Sequence, residues 1–182
     1  MKWGVKFDKT ADGEFDLHRE GGHSEFRILH HADDTGFEIQ RGLIEAVRRH
    51  PNITLLEHHF AVEIITQHHL GIEVTRRTPD IECYGAYVLD PDTGRINTLL
   101  SKVTILATGG VGAVYATTTN PNIATGDGIA MVYRAKGKVK DMEFVQFHPT
   151  ALYNPKEKHP AYLITEAMRG YGGNLRLPNG KE

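Results

Sequence analysis

The sequence predicts an α/β fold, in which part of a doubly wound domain carries an inserted antiparallel β-ribbon and is followed by the start of an α+β unit. Three observations predict it. One helical pattern precedes several short β-rich runs. A continuously apolar run then ends in a glycine turn, as expected for a parallel strand buried on both faces. The pattern changes near residue 139, so we expect one domain over 1–139 and another over 140–182.

Composition narrows the class of protein. Of 182 residues, 40% are hydrophobic and 24% are charged, which is ordinary for a soluble globular protein. The formal net charge of -2 gives no electrostatic case for nucleic acid or an anionic membrane as a partner. The single cysteine excludes an internal disulfide framework. No apolar run approaches the roughly 18 residues of a membrane span, so we expect a soluble, cytoplasmic protein.

The first predicted element is a helix from Asp34 to His50. Its apolar residues recur at nearly helical spacing, Asp34 or Thr35 caps its start, and the sequence HPN ends it. Short β-rich runs follow: ITLLE at 53–57, FAVEII at 60–65, CYGAYVLD at 83–90 and INTLL at 96–100. Three of these can form an antiparallel meander, with PDTG at 91–94 as a hairpin turn.

The run KVTILATGG, residues 102–110, predicts the buried parallel strand. The end of such a strand is where α/β folds bind ligands, and its Thr108 and Gly109 could cradle a nucleotide, although a glycine turn after a strand is common. TGDGIAMVYRAKG, residues 125–137, predicts a helix that opens on two glycines around Asp127. The Asp127 carboxylate could cap its own helix or bind a cofactor hydroxyl, and the sequence leaves both open.

The last part of the chain predicts a strand that ends in QFHPT, then a charged loop, a short helix in YLITEAMRG and a hairpin in NLRLPNG. Gln146 and His148 would share one face of the strand, either as a pocket wall or as the wet face of an edge strand. Thr165, Glu166 and Arg169 lie within one helical turn. They form either a solvated ion pair or a site for a dicarboxylate.

The chain has eleven histidines, including the adjacent pairs at 30–31, 58–59 and 68–69. Adjacent residues on a strand point to opposite faces, and no pair has the i, i+4 spacing of a helical zinc site. We therefore expect no metal site.

Several motifs occur in an order that resembles a flavoprotein family. In chain order they are REGGHS, RILHHADDTG, ILATGG, TTNP, TGDGIAMVYRAKG, EFVQFHPTALY and LITEAMRG. The set resembles the L-aspartate oxidases, in the family that includes fumarate reductase and the succinate dehydrogenase flavoprotein subunit. The resemblance implies an internal fragment, with a partial Rossmann-like FAD-binding domain over 1–139 and the N-terminal part of a capping (substrate) domain over 140–182.

The resemblance also implies roles for particular residues. Glu20, which would face the substrate ammonium group, and Arg169, which would bind a substrate carboxylate, are implied as catalytic residues. The implied substrate-binding residues are Gln146, His148, Thr165 and Glu166. The implied FAD-binding residues are Phe60, Ala61, Thr108, Gly109 and Asp127.

The activity implied is flavin-dependent oxidation of L-aspartate to iminoaspartate, with fumarate or oxygen as electron acceptor. The product would feed quinolinate formation and NAD biosynthesis, which implies a functional link to quinolinate synthase. A soluble fumarate reductase or succinate dehydrogenase flavoprotein is the alternative within the family. The family's N-terminal glycine-rich turn and second flavin-binding stretch are not among these residues. We therefore expect the fragment alone to bind FAD weakly and to be inactive, and a non-catalytic truncated fragment is the third alternative.

Overall fold

A computed structural model describes residues 2–154, 156 and 160–181. Contacts between residues divide the chain into two compact units. Unit 1 comprises Met1–Leu55 and Leu163–Glu182, and unit 2 comprises Leu56–Tyr162. Unit 1 therefore joins two segments that are distant in sequence. The expected domain boundary between residues 139 and 140 concerns a longer protein and stays a prediction.

Unit 1 contains a two-residue antiparallel ribbon and two helices. Strands β1 (Leu17–His18) and β2 (Ile28–Leu29) pair antiparallel. Helix α1 spans Thr35–Arg49, which confirms the first predicted helix, and the short helix α3 spans Ala167–Gly170.

Helix α1 is joined to the N-terminal segment by a buried carboxylate. Glu38 is only 5% exposed, and its oxygens accept hydrogen bonds from the Lys6 amide (2.7 Å) and from two guanidinium nitrogens of Arg41 (both 2.6 Å). The hydrogen bonds from Arg41, followed by that from Lys6, lower the pKa of Glu38 to about 2. Arg41 also donates to the carbonyl oxygen of Gly4 at 3.0 Å, so one ion pair anchors both segments.

Unit 2 is built on the predicted meander. Strands β3 (Phe60–Thr66), β4 (Cys83–Asp90) and β5 (Arg95–Leu100) form a three-stranded antiparallel sheet in the order β3-β4-β5. Helix α2 spans Asp127–Arg134, close to the predicted helix. The Arg134 guanidinium binds the Glu63 carboxylate at 2.8 Å and the Val62 carbonyl oxygen at 3.0 Å, which ties α2 to β3. The buried apolar residues of unit 2 are Ile64, Ile65, Val74, Val88, Ala124 and Met131.

Four predicted β segments are not strands in the structure. The run 102–110 is irregular and exposed, with Val103 at 75% and Ile105 at 84% exposure. Segment 53–57 and the run before QFHPT are also irregular, and Phe144 and Phe147 are exposed. Residues 174–181 contain no strand, although the Gly180 amide donates to the Leu177 carbonyl oxygen and the Leu177 amide donates to the Lys181 carbonyl oxygen across the predicted turn.

One physical reason explains why all four of these predicted segments are not strands. A strand is fixed by hydrogen bonds to a neighbouring strand, and among the described residues no strand lies alongside these segments. The predicted parallel pairing is therefore absent from the described residues, where every sheet is antiparallel.

No helix within the described ranges is both long enough and apolar enough to cross a lipid bilayer.

Candidate functional site

In unit 1, the loop of REGGHS lies directly against helix α3. The Arg19 guanidinium donates from Nε (3.2 Å) and Nη2 (2.8 Å) to the Gly170 carbonyl oxygen, which is 151 positions away. A Cβ on Gly170 would lie 1.9 Å from the Arg19 carbonyl oxygen. A Cβ on Gly21 would lie 3.3 Å from Cβ of Arg169. Two glycines thus allow the REGGHS loop and helix α3 to approach closely, with Gly170 against the backbone of Arg19 and Gly21 against the Arg169 side chain.

The Arg169 side chain is held at one edge of its guanidinium group. Its Nη2 donates to Oε1 of Glu166, and the group lies beside Gly21. Its Nε is buried and makes no hydrogen bond. The Thr165 hydroxyl oxygen accepts a hydrogen bond from the Ala167 amide at 3.3 Å, which supports the first turn of α3. The structure therefore brings Glu20, Thr165, Glu166 and Arg169 into one compact unit, where Nε of Arg169 makes no hydrogen bond to any described residue.

Two further residues of this loop were not among the candidates. Arg19 joins the loop to α3 through its paired hydrogen bonds, and His23 has a buried Nδ1 atom that makes no hydrogen bond. Both lie in the sequence RE-GG-H, where charged and imidazole side chains flank two glycines. The concentration of polar side chains around these two adjacent glycines is the sequence feature that could have indicated Arg19 and His23.

In unit 2, the segment ATGG lies against the start of helix α2. The Gly126 amide donates to the Gly110 carbonyl oxygen at 3.1 Å. A Cβ on Gly128 would lie 1.9 Å from the Thr108 hydroxyl oxygen, and one on Gly126 would lie 2.9 Å from a methyl group of Val111. Glycine is therefore required at 126 and 128 for this close approach, and Gly126 also has φ of +80°.

The opposite side of the same loop is open. A Cβ at either Gly109 or Gly110 would meet nothing within 4 Å. A flat ligand can therefore approach this backbone closely, beside the positive end of the α2 dipole. These features fit the adenine dinucleotide that the resemblance implies, with Gly109 on the open side and the Thr108 side chain against Gly128 of α2.

Asp127 does not cap its own helix through its side chain. Gly126 occupies the N-cap position, and no side chain caps the first turn of the helix by a hydrogen bond. The Asp127 carboxylate instead accepts a hydrogen bond from the Thr125 hydroxyl at 2.9 Å, and the residue is exposed. Of the two roles that the sequence left open, capping is excluded by this geometry.

A groove of about 500 Å³ follows the same helix. It is lined by Val111, Thr125, Gly126, Ile129, Ala130, Tyr133, Arg134, Val139 and Met142. This lining is mainly apolar, so the α2 region of unit 2 offers apolar surface as well as backbone amides.

Phe60 and Ala61 begin strand β3 and are exposed, with Phe60 at 52%. They pair with Leu89 and Val88, and the register shifts between Ala61 and Glu63. The bulge turns the strand end out of regular pairing. This leaves the two residues at an open end of the ribbon.

Gln146 and His148 lie in the irregular segment of unit 2. Gln146 is exposed and His148 is half-buried. Nδ1 of His148 accepts a hydrogen bond from the Thr150 amide at 3.2 Å and lies 3.1 Å from the carbonyl oxygen of that residue. Both of these contacts use Nδ1. Because the predicted strand is absent, its alternation does not set the direction of these side chains.

Comparison with known proteins gives consistent results. A model described as FAD binding domain matches residues 1–182. L-aspartate oxidase 1 of Ralstonia nicotianae is 51% identical over 179 residues, which cover 97% of this chain and 32% of that protein. The L-aspartate oxidase of Acinetobacter baylyi is 47% identical over 181 residues, which cover 100% of this chain and 32% of that protein. The chain spans about a third of the length of these curated relatives.

Solved structures agree. The FrdA chain of E. coli quinol fumarate reductase, in a mutant form, has a TM-score of 0.81 at 31% identity, over 98% of this chain and 28% of that one. Mycobacterium smegmatis Sdh1 in complex with UQ1 has a TM-score of 0.69 at 30% identity, over 99% and 30%. The fold is thus the FAD-binding domain fold of flavoproteins, with mixed α/β content and small antiparallel sheets. With a family model that matches its whole length, the chain belongs to the FAD binding domain family.

Proposed function

We propose that the protein to which these residues belong oxidises L-aspartate to iminoaspartate with FAD as its cofactor. The observation that carries the proposal is the close packing in unit 1 of Gly170 against the backbone of Arg19 and Glu20, and of Gly21 against the Arg169 side chain. An amino dicarboxylate needs both an anion for its ammonium group and a cation for a carboxylate. The names of the relatives support the same substrate.

Arg169 binds a substrate carboxylate in this proposal. Its buried Nε makes no hydrogen bond in the part of the chain that the structure describes, while Nη2 is held by Glu166. A planar guanidinium group can present two parallel donors to a carboxylate, so it fixes orientation as well as charge. Thr165 sits one turn earlier on the same segment and supplies a hydroxyl group.

Glu20 binds the substrate ammonium group. Its backbone lies against Gly170, whose position is fixed by the hydrogen bonds from Arg19. A carboxylate that faces an ammonium group selects an amino acid over the corresponding unsubstituted dicarboxylate. Glu20 is therefore the specificity-determining residue of the proposal.

Unit 2 holds the cofactor. The ATGG loop, which carries Thr108 and Gly109, would hold the dinucleotide together with the Asp127 carboxylate. Phe60 and Ala61 contact it from the ribbon. When bound, FAD would supply the acceptor for the hydride from C2 of the amino acid, and the amino group would release a proton.

Gln146 and His148 line the dicarboxylate site in the proposed capping domain, which begins near residue 140. The Nε2 atom of His148 serves a substrate carboxylate. Both contacts of its ring with Thr150 use Nδ1, which supports this assignment.

The proposed electron acceptor is fumarate or oxygen. Iminoaspartate would feed quinolinate formation, so the proposal includes a functional link to quinolinate synthase. Cytoplasmic location stays an expectation.

A fumarate reductase or succinate dehydrogenase flavoprotein is the second candidate, because solved proteins of those kinds share the fold at 30–31% identity. The test is to mix the FAD-loaded full-length protein anaerobically with L-aspartate or succinate and to follow flavin absorbance. We expect L-aspartate to bleach the flavin and succinate to leave it unchanged. Bleaching by succinate alone would favour the second candidate, and bleaching by neither would contradict both.

A further inference from the structure

A cluster of three metal-binding side chains lies on one face of the β1–β2 ribbon. Leu17 pairs with Leu29 and His18 with Ile28, so Asp16 stands opposite His30. Alternate residues of a strand share a face, which places Asp16 and His18 together with His30. One ligand atom from each of the three lies within 4.8 Å of those of the other two.

His30 is buried without satisfied hydrogen bonds. Its side chain is 9% exposed, and neither Nδ1 nor Nε2 makes a hydrogen bond among the described residues. Nε2 lies 3.5 Å from Oδ2 of Asp16, and the ring stacks on His18 with 3.3 Å between centroids. Each ring nitrogen of His30 thus faces a carboxylate without making a hydrogen bond of good geometry, which leaves Nε2 available to a ligand shared with Asp16.

We propose that Asp16, His18 and His30 bind one divalent transition-metal ion of the zinc type. Imidazole nitrogen and carboxylate oxygen are typical zinc ligands, at about 2.0–2.2 Å. Tetrahedral geometry at those lengths separates two ligand atoms by about 3.3 Å, close to the 3.5 Å between Asp16 and His30. The three ligand atoms lie within 4.8 Å of one another, so binding requires only small side-chain movements, and the Asp16 side chain is half-exposed.

Asp8 completes the arrangement from the other side of His30. Its Oδ2 lies 3.3 Å from Nδ1 of His30 and accepts a hydrogen bond from the Ala32 amide at 2.7 Å. A metal-bound histidine commonly directs its second nitrogen at a carboxylate, which orients the ring and raises its basicity. Asp8 is therefore a positioning residue, and His30 binds the ion through Nε2.

The site differs from any that the paired histidines suggested, because only one of its ligands belongs to an adjacent pair. Its signal in the sequence is Asp16-x-His18, which puts two ligands on one face of a strand. Three protein ligands leave a coordination position for water. The proposal does not depend on the oxidation of L-aspartate.

The experiment is calorimetric titration of the metal-free full chain with Zn²⁺, repeated with Co²⁺ while absorption is recorded. We expect one ion per chain and the visible absorption bands of low-coordinate Co²⁺. Asp16→Asn and His18→Gln should each weaken Zn²⁺ binding at least 100-fold. Asp8→Asn should weaken it about 10- to 100-fold while retaining one ion per chain.

His68→Gln, an exposed histidine in unit 2, is the matched control and should bind Zn²⁺ like the wild type. Far-ultraviolet circular dichroism of each variant shows whether it is folded. Absence of Zn²⁺ binding by the folded wild type would overturn the proposal. So would binding that is unchanged in folded Asp16→Asn and His18→Gln but lost in His68→Gln, because exposed histidines would then be the ligands.

Discussion

Replacing Gly170 with alanine tests the loop–helix contact on which the proposed substrate site depends. The new Cβ would lie 1.9 Å from the Arg19 carbonyl oxygen and 3.1 Å from the carbonyl carbon of Glu20. Ordinary van der Waals contact begins at 3.4 Å, so the two backbones must separate by about 1.5 Å. Both obstacles are backbone atoms, and rotation of a side chain cannot relieve the clash.

The consequences for stability and activity differ in size. Overpacking of this kind costs about 1–3 kcal/mol, from which the better helix propensity of alanine recovers at most about 1 kcal/mol. A displacement of about 1 Å between substrate-positioning groups lowers turnover about 100-fold. We therefore expect a modest loss of stability and a large loss of L-aspartate oxidation in Gly170→Ala.

The assays are chemical denaturation and steady-state oxidation of L-aspartate by the FAD-loaded full-length protein. Gly36→Ala is the matched control, because a Cβ at this position of helix α1 meets nothing within 4 Å. It should leave activity unchanged and stabilise by up to about 1 kcal/mol. Wild-type turnover in Gly170→Ala would refute the inference that this contact positions the substrate-binding groups.

Three other substitutions are expected to change, respectively, the FAD content, the pH dependence of stability and the turnover of substrate. Gly110→Ala should lower FAD content while leaving thermal stability unchanged, because its Cβ meets no protein atom but fills the open side of the loop; full FAD occupancy would contradict this. Glu38 has a folded-state pKa lowered to about 2, so its stabilising effect is present above pH 4.5 and is lost as the pH falls towards 2. Glu38→Gln should flatten the pH dependence of unfolding in that window, and parallel curves would exclude this role. Arg169→Lys should lower turnover about 100-fold with either L-aspartate or fumarate while the flavin spectrum is retained, because the planar fork is lost. Near-normal turnover would leave only an ion pair with Glu166, worth at most about 1 kcal/mol.

Helices and strands could be predicted from the sequence where nearby residues determine them. Helix α1 and strands β3, β4 and β5 follow from apolar spacing and from the turn residues after Asp90. In that turn, the Asp90 carboxylate accepts hydrogen bonds from the Thr93 hydroxyl and the Asp92 amide, and its lowered pKa results chiefly from the Thr93 bond. Such contacts span a few residues, so a sequence window contains all of their causes.

The apolar run at 103–106 shows where prediction failed. Its composition favours a buried strand, but burial depends on a neighbour, and Ile105 is 84% exposed in the structure. Strand formation there requires a partner strand, which the composition of the segment does not determine.

For the candidate site too, local features could be predicted from the sequence and long-range contacts could not. Composition alone indicated that REGGHS and LITEAMRG were rich in polar groups, but not that Arg19 would bond Gly170 from 151 positions away. Likewise, the convergence of Asp16 with His30 depends on the register of β1 and β2. Long-range register is set by the whole fold and has no local signature beyond the alternation of Asp16 and His18.

The most direct test of the central proposal is the substrate preference of Glu20→Gln in the FAD-loaded full-length protein. Glutamine retains the shape of the side chain but removes the charge that would face the substrate ammonium group. A lost hydrogen bond between charged groups costs about 1.5–3 kcal/mol, or roughly 10- to 150-fold in kcat/KM. The account predicts this loss for L-aspartate oxidation and less than about threefold change for fumarate reduction, because fumarate has no ammonium group. Equal losses with both substrates, or no loss with L-aspartate, would contradict it.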